Sequence, residues 1–361
     1  MNNKIIVIAE AGVNHNGNVD LAMQLVDAAV KSGADIVKFQ TFKAKNIVTK
    51  SVSKADYQKN TTNKEESQYD MLKALELTYG DTVKIMKHCE QNKIKFLSSA
   101  FDHDSLDFLT NKLNLKTLKI ASGEITNGPL LLSHAQTGCN IILSTGISSL
   151  KEIQIALSII AFGLIHGANL KENPSLKSFQ KAFKSEVGQS LLKRKVTILH
   201  CTTEYPAPLE DSNLKAITTL QNKFGLRIGY SDHTKGIIVS VFAAAMGAKL
   251  IEKHFTLDKE MHGPDHKASL SPLELKRMVE MIRDLEKSMG DGIKTPKKSE
   301  LKNKYIVRKS LVALTPIKKG DVFTEQNLSI KRPGNGKSPM LYWDILGTKS
   351  FRDYGEDEVL F

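Results

Sequence analysis

Cysteine is scarce in this chain of 361 residues: Cys89, Cys139 and Cys201 are the three present, and none forms a CxxC pair. That argues against a disulfide framework and against a thiolate zinc site, and leaves the three as buried small hydrophobes. Long apolar runs are missing as well; none approaches the ~20 residues that cross a bilayer. The amino-terminal MNNKIIVIAEAG has a short apolar run that passes straight into patterned sequence, so it reads as a first strand and not as a signal peptide. A cytoplasmic protein with no membrane partner is the expectation. No recognition helix, zinc finger or aromatic RNA-binding signature appears. Acidic residues are fewer than basic ones, 39 against 51, giving a net charge of +12. The lysines are spread along the whole chain, which predicts a solvated basic surface and no nucleic-acid partner. A locally positive cleft for an anionic substrate is compatible with the same charge.

Hydrophobic content of 41% and charged content of 25% are ordinary for a soluble globular protein. Eight short apolar runs read as strands: 4–10, 35–40, 94–100, 117–124, 140–146, 195–203, 226–232 and 249–255. Helical patterns lie between them, such as NVDLAMQLVDAAVKSG and GPLLLSHAQTG, which end at Gly33 and Gly138. Repeated strand–helix alternation predicts a parallel sheet, and the count of eight favours an α/β fold of the (β/α)8 TIM-barrel type. A doubly wound open sheet is the alternative, but its GxGxxG loop is absent after the first strand. The segment Thr41–Leu77, with SVSKADYQKNTTNKEESQ, predicts a surface excursion over the barrel mouth. Residues 161–194 predict an insertion with one extra helix around SLKSFQKAFKSEVGQSLLKR. After residue 289 the polar, basic GDGIKTPKKSELKNK reads as a linker over 290–304, and 305–361 as a second compact domain of short strands and turns.

In such a barrel, polar residues at the carboxyl ends of strands face the active site. Those ends carry Glu10; Lys38 and Gln40; Ser98 and Ser99; Lys119, Ser122 and Glu124; Ser144 and Thr145; Thr202 and Thr203; Ser231, Asp232 and His233; and His254. Core packing does not explain such a set, because buried polar groups cost free energy unless paired. Lys38 and Lys119, with serines nearby, make a site for a small anion such as phosphate or carboxylate. Glu10 and Glu124 are available to pair with these lysines inside the barrel. His233 and His254 end the seventh and eighth strands, ~4.8 Å apart, so both imidazoles reach one point. Two neutral imidazoles with room for oxygen ligands suit a catalytic divalent ion.

The motifs AEAGVNHNG, VKFQTFKA, KIASGEITN, LSTG, LHCTTEYPAP, GYSDHT, IEKHFTLDK, GPDHKAS and KRPGNG, in this order along essentially the whole chain, resemble the N-acetylneuraminate (sialic acid) synthase family, which includes legionaminic acid synthases. The resemblance implies a metal-dependent (β/α)8 barrel followed by an antifreeze-protein-like (SAF) domain, in a homodimer with swapped carboxyl-terminal domains. It implies a divalent metal, Mn²⁺ first with Mg²⁺ or Co²⁺ as alternatives, on His233 and His254. It implies phosphoenolpyruvate binding by Lys38, Ser99, Lys119, Ser122, Ser144, Thr203 and Ser231. Glu10, Gln40, Tyr205 and Asp265 match residues around the sugar, and Arg332 in KRPGNG matches an arginine sent into the partner's site. Ser98-Ser99-Ala100-Phe101 stands where the family commonly reads STPF, and Ala121 where Pro or Gly is more usual.

The implied reaction joins C3 of phosphoenolpyruvate to the aldehyde carbon of an N-acetylated amino sugar, with Glu10 near the charge or proton that moves. N-acetylmannosamine, giving N-acetylneuraminate, is the leading expectation. The alternative substrate is a 2,4-diacetamido-2,4,6-trideoxyhexose, giving legionaminic or pseudaminic acid. A non-catalytic carbohydrate- or ice-binding protein would need neither the two histidines nor the strand-end lysines.

Overall fold

The computed structural model describes residues 4–54, 62, 66–170 and 172–361. Eight parallel strands close a barrel in sequence order. They are β1 (Ile6–Gly12), β2 (Ile36–Thr41), β3 (Lys95–Ala100), β4 (Thr117–Ile120), β5 (Asn140–Ser144), β6 (Val196–Cys201), β7 (Arg227–Asp232) and β8 (Leu250–His254). Closure comes from β1 pairing with both β2 and β8, with Glu10 opposite Lys38 on one side and His254 on the other. The pleat sends alternate residues inward and outward. Inward-facing Ile8, Leu97, Ile142, Leu199 and Leu250 form an apolar plug. Outward-facing Val7, Ala9, Val37 and Ile198 pack with the surrounding helices in the main core. Polar residues one step further along each strand therefore stand on a dry floor.

The helices begin where the local chemistry caps them. Asn18 accepts from the backbone of Asp20 and Leu21 to start Val19–Lys31. Ser149 with Glu152, and Ser271 with Glu274, form capping boxes for Leu150–His166 and Pro272–Ser288. The insertion differs from the single helix expected: Leu176–Lys184 and Glu186–Lys195 are separate. Ser185 is extended between them, and its hydroxyl accepts from Gly188 to restart the helix.

Within the excursion, Ala44–Ile47 and Gln68–Leu75 are helical, while residues 55–61 and 63–65 lie outside the described residues. The helix Gln68–Leu75 buries Met71 and Leu75 against Val13 and Phe42. Gly17, at φ +72°, permits that docking: a Cβ there would sit 2.4 Å from the Ala74 carbonyl oxygen.

The chain divides into two compact units, Met1–Met289 and Gly290–Phe361. The stretch read as linker is not all irregular, because Lys298–Val307 is a helix that starts inside it, with Glu300 turned back to the Lys297 backbone. The second unit pairs β9 (Ser310–Ala313) antiparallel with β10 (Leu328–Lys331). Its own core holds Leu311, Ala313, Ile317, Phe323, Leu328, Tyr354 and Leu360. Among the described residues no helix is long and apolar enough to cross a membrane.

Candidate active site

A cavity of about 230 Å³ opens at the carboxyl ends of the strands. It is lined by Glu10, Lys38, Gln40, Ser99, Lys119, Ser122, Ser144, Thr203, Tyr205, Ser231, His233, His254 and Asp265. The first unit thus brings these residues from β1 to β8 and their loops to one place. Arg332 belongs to the second unit, exposed on the turn after β10, its Nε donating to the Val307 carbonyl at 3.1 Å.

Strand pleat decides which strand-end residues enter the cavity. Ser98 turns away from it, 2.7 Å from the Thr41 hydroxyl and donating to the Phe39 carbonyl. Thr145 donates to Leu199 and Thr202 to Asp211. Asp232 also points outward, to an ion pair with Lys253 at 3.0 Å. Among the described residues Glu124 is not a lysine partner; it sits on a short 3-10 turn, Ser122–Glu124, and accepts from Asn127. The carboxylate in that role is Glu252, two residues before His254. Its oxygens lie 3.3 Å from both Lys38 and Lys119, and Ser231 donates to it at 2.9 Å. The sequence did hold a signal for it: Leu250, Glu252 and His254 share one parity of β8, so a carboxylate stands on the inward face.

The resulting cluster holds two ammonium groups and two carboxylates, all buried. Lys38 also pairs with Glu10 at 3.2 Å, and Gln40 donates to the same Glu10 oxygen at 3.4 Å. Burial alone would raise the pKa of Glu252, but Lys119 and Lys38 outweigh it and hold it down to about 2. Burial wins at Glu10, where Lys38 pulls down and Glu252 pushes up, and the pKa rises to about 7. Burial lowers Lys119, against the pull of Glu252. The cluster therefore keeps one carboxylate firmly charged and one poised to exchange a proton near neutrality.

The side of the cavity at Ser122 and Thr203 is shaped by backbone as well as side chains. Ser122 Oγ accepts from Gly146 N–H at 3.0 Å. A Cβ on Gly146 would lie 2.1 Å from Thr203 Oγ1 and 2.9 Å from Ser122 Oγ, so the turn just past β5 must carry glycine there for these hydroxyls to converge.

The two imidazoles face each other with ring centroids 5.6 Å apart. His233 Nδ1 donates to the Thr202 carbonyl at 2.5 Å, which fixes the tautomer and turns the lone pair of Nε2 into the cavity, 3.2 Å from Tyr205 Oη. His254 Nδ1 is buried without a hydrogen bond, 3.9 Å from Asp265 Oδ2. Burial depresses both pKa values, His233 to about 4 and His254 well below its ordinary range, so both are neutral at pH 7. His233 and His254, two neutral imidazoles lining one cavity, would be the residues to hold a divalent ion there. No group of three or more His, Cys, Asp or Glu able to hold a metal occurs among the described residues.

The loop carrying Asp265 is stitched to the β1 loop. Asn14 donates to the Phe255 carbonyl and to Ser269 Oγ, and Ser269 in turn donates to the Asp265 carbonyl. His266 bridges Thr256 and Asn16. Asn14 and Asn16 of the AEAGVNHNG motif thus position a neighbouring loop and do not line the cavity. Burial raises Asp265 to about 6.

Residues 25–294 match the NeuB family, and residues 308–361 match the SAF domain. The chain is 49% identical over 357 residues to the N,N'-diacetyllegionaminic acid synthase of Campylobacter jejuni, covering 99% of each. It is 44% identical over 343 residues to the synthase of that name from Legionella pneumophila, covering 95% of this chain and 89% of that one. The crystal structure of N-acetylneuraminic acid (sialic acid) synthetase from Leptospira borgpetersenii in complex with citrate aligns with a TM-score of 0.66 and 32% identity, over 83% of this chain and 90% of that one. A barrel whose strand ends carry this constellation, followed by an SAF domain, belongs to the NeuB family, and the protein is a transferase of the sialic acid synthase type.

Proposed function

We propose that this enzyme condenses phosphoenolpyruvate with a 2,4-diacetamido-2,4,6-trideoxyhexose and water, giving a legionaminic-type nine-carbon acid and phosphate. This replaces N-acetylmannosamine, the leading expectation from the motifs alone. The observation that carries it is the near-full-length likeness, at 49% identity, to a diacetyllegionaminic acid synthase. Motifs for phosphoenolpyruvate and metal are common to all these synthases, so only likeness across the whole chain separates the sugars.

His233 and His254 would hold a divalent ion, manganese first and magnesium or cobalt as alternatives. Such an ion supplies Lewis-acid polarisation of the aldehyde oxygen. Lys38 and Lys119, with the hydroxyls of Ser99, Ser122, Ser144, Thr203 and Ser231, hold the anionic phosphoenolpyruvate in attack geometry, chiefly an orientation effect. A C–C bond forms between C3 of phosphoenolpyruvate and the aldehyde carbon, and the aldehyde oxygen gains a proton. C2 becomes an oxocarbenium, water adds there with loss of a proton, and the C2–O bond to phosphate breaks as the new C2 hydroxyl becomes the keto oxygen and its proton goes to the departing phosphate. Glu10, with a pKa near neutrality, is suited to hand over or accept one of these protons. Gln40, Tyr205 and Asp265 are the sugar contacts of this reading.

The swapped dimer belongs to the same proposal: the second unit of one subunit supplies Arg332 to the site of its partner, in the cytoplasm. Mixing Arg332→Ala with His233→Ala subunits under exchange conditions should restore activity; demonstrated exchange without recovery overturns the sharing. The catalytic reading is tested by following phosphate release from phosphoenolpyruvate with each candidate sugar. Faster turnover of N-acetylmannosamine than of the diacetamido sugar would refute it.

A further inference from the structure

The cavity has two chemically distinct parts. The strand ends themselves supply polar groups all round the barrel, from Glu10 and Lys38 through Ser99 and Ser122 to Ser231. Beyond the ends of β1 and β3 the lining is Val13, Phe101 and the helix residues Met71, Leu72 and Leu75. None of these five side chains offers a strong hydrogen-bond donor or acceptor. The geometry points to this apolar wall as the element that selects the deoxy sugar, by receiving the methyl group at C6. This inference rests on the substrate class proposed above and names the part of the chain that reads it.

The competing explanation is that the wall merely seals the barrel top, as small apolar clusters under long connections do. Met71 and Leu75 fit that role, being 3% and 7% exposed within the satellite cluster with Val13 and Phe42. Leu72 and Phe101 do not fit it so well. Both are only partly buried, pack on the edge of that cluster and line the cavity. A residue needed only as a lid would bury its side chain, whereas these two stay partly exposed and line the cavity, Phe101 bordering a second one beside Asp102 and His103 as well.

The wall is also held in place before any ligand arrives. Ser67 caps the helix by accepting from Asp70 N–H. The Ala74 carbonyl packs against Gly17, where a Cβ would be 2.4 Å away. Glu76, just past the helix, accepts from the backbone of Ala44 at 2.6 Å and pairs with Lys73 at 2.9 Å. Phe42 meets Phe101 edge-on at 6.2 Å. A fixed apolar surface gains from a methyl group and offers nothing to a hydroxyl, which loses its water on docking. N-acetylmannosamine carries a hydroxyl at C6 where the 2,4,6-trideoxy sugar carries the methyl. Apolar pockets discriminate by roughly tenfold to two-hundredfold per such group.

The test is the ratio of kcat/KM for the diacetamido-trideoxy sugar to that for N-acetylmannosamine, measured on the full-length, manganese-loaded enzyme with saturating phosphoenolpyruvate. Wild type, Leu72→Ser, Phe101→Ser and the conservative Leu72→Met are compared. Loss of folded enzyme cancels in the ratio, so a partly unfolded variant still reports. We expect the ratio to fall by about tenfold in each serine variant through a higher KM for the deoxy sugar. The KM for phosphoenolpyruvate should stay put, and Leu72→Met should keep the wild-type ratio. An unchanged ratio in both serine variants, with the deoxy sugar still preferred, would overturn the wall's role and leave the proposed function standing. A wild-type preference for N-acetylmannosamine, or turnover of neither sugar, would overturn both.

Discussion

Two buried charge clusters sit back to back on β8, carried by consecutive residues. Lys253 points outward and Glu252 with His254 points inward. Outside, Asp232 has its lone pairs filled: Thr234 gives it a backbone N–H at 2.9 Å and a hydroxyl at 2.7 Å, Ser240 a hydroxyl at 2.6 Å, and Lys253 an ammonium at 3.0 Å. Lys253 also donates to the Thr234 carbonyl. Inside, one oxygen each of Glu10 and Glu252 and the Nδ1 of His254 are buried without a hydrogen bond, although Lys38 lies 3.3 Å from that Glu252 oxygen. Burying charge is costly, and the protein offsets that cost completely on one face of the strand and incompletely on the other. The outward cluster is closed on itself; the inward one leaves polar atoms unused beside the cavity.

The sharpest way to break the comparison is at the histidines. Chelation should abolish turnover and manganese should restore it, and His233→Ala or His254→Ala should lose nearly all activity while melting as the wild type does. Full activity in excess EDTA would remove the metal from the inward cluster. The outward cluster should behave in reverse. Lys253→Met leaves Asp232 as an unpaired buried carboxylate and should destabilise the barrel by about 3–5 kcal/mol in urea unfolding, with kcat per folded molecule retained. A stable but inactive Lys253→Met would mean that the two faces do not divide the labour in this way.

A smaller effect is expected at the lysines. Lys38→Ala and Lys119→Ala each remove a charge-assisted contact of ~1.5–3 kcal/mol, so the KM for phosphoenolpyruvate should rise roughly tenfold to a hundredfold and that for the sugar much less. An unchanged KM for phosphoenolpyruvate in both variants would assign them to the same structural role as Lys253.

The same contrast explains what could be read from the sequence. Eight apolar runs and their spacing announced the closed barrel, because a strand buried on both faces shows itself by composition alone. The strand-end polar residues announced where the cavity would open. Which of them face it was less plain, since Ser98 and Ser99, or Asp232 and His233, differ only in parity, and parity depends on where the strand stays regular. Glu252 escaped notice because it lies before the strand end, inside an apolar run, where only its shared face with His254 marks it. The break at Ser185 was hidden because serine both tolerates a helix and caps one. The helix Lys298–Val307 was hidden by a lysine-rich composition that reads equally as a solvated linker.

Glu10 offers the finest cut between the two faces. Asp232 is held by four donors, whereas Glu10 is raised from an ordinary 4.5 to about 7, chiefly by burial. Between those two values the folded chain carries a proton that the unfolded chain has released. Unfolding then releases a proton, and rising pH favours unfolding. The stability tied to protonated Glu10 is fully present below about pH 4.5 and is lost as the pH climbs through about 7. One such proton contributes at most about 1.4 kcal/mol per pH unit, and because Lys38 and Glu252 share the titration a total near 1 kcal/mol is expected. Glu10→Gln keeps the shape and cannot titrate, so the other ionisable groups cancel when the two proteins are compared. Urea midpoints of the metal-free full chain at pH 5, 6 and 7 should show wild type losing stability relative to Glu10→Gln as the pH rises. A constant difference across the range would mean that Glu10 ionises as an ordinary carboxylate. It would then be a permanent counter-ion to Lys38, as Asp232 is to Lys253, and the proton in the condensation would have to come from elsewhere.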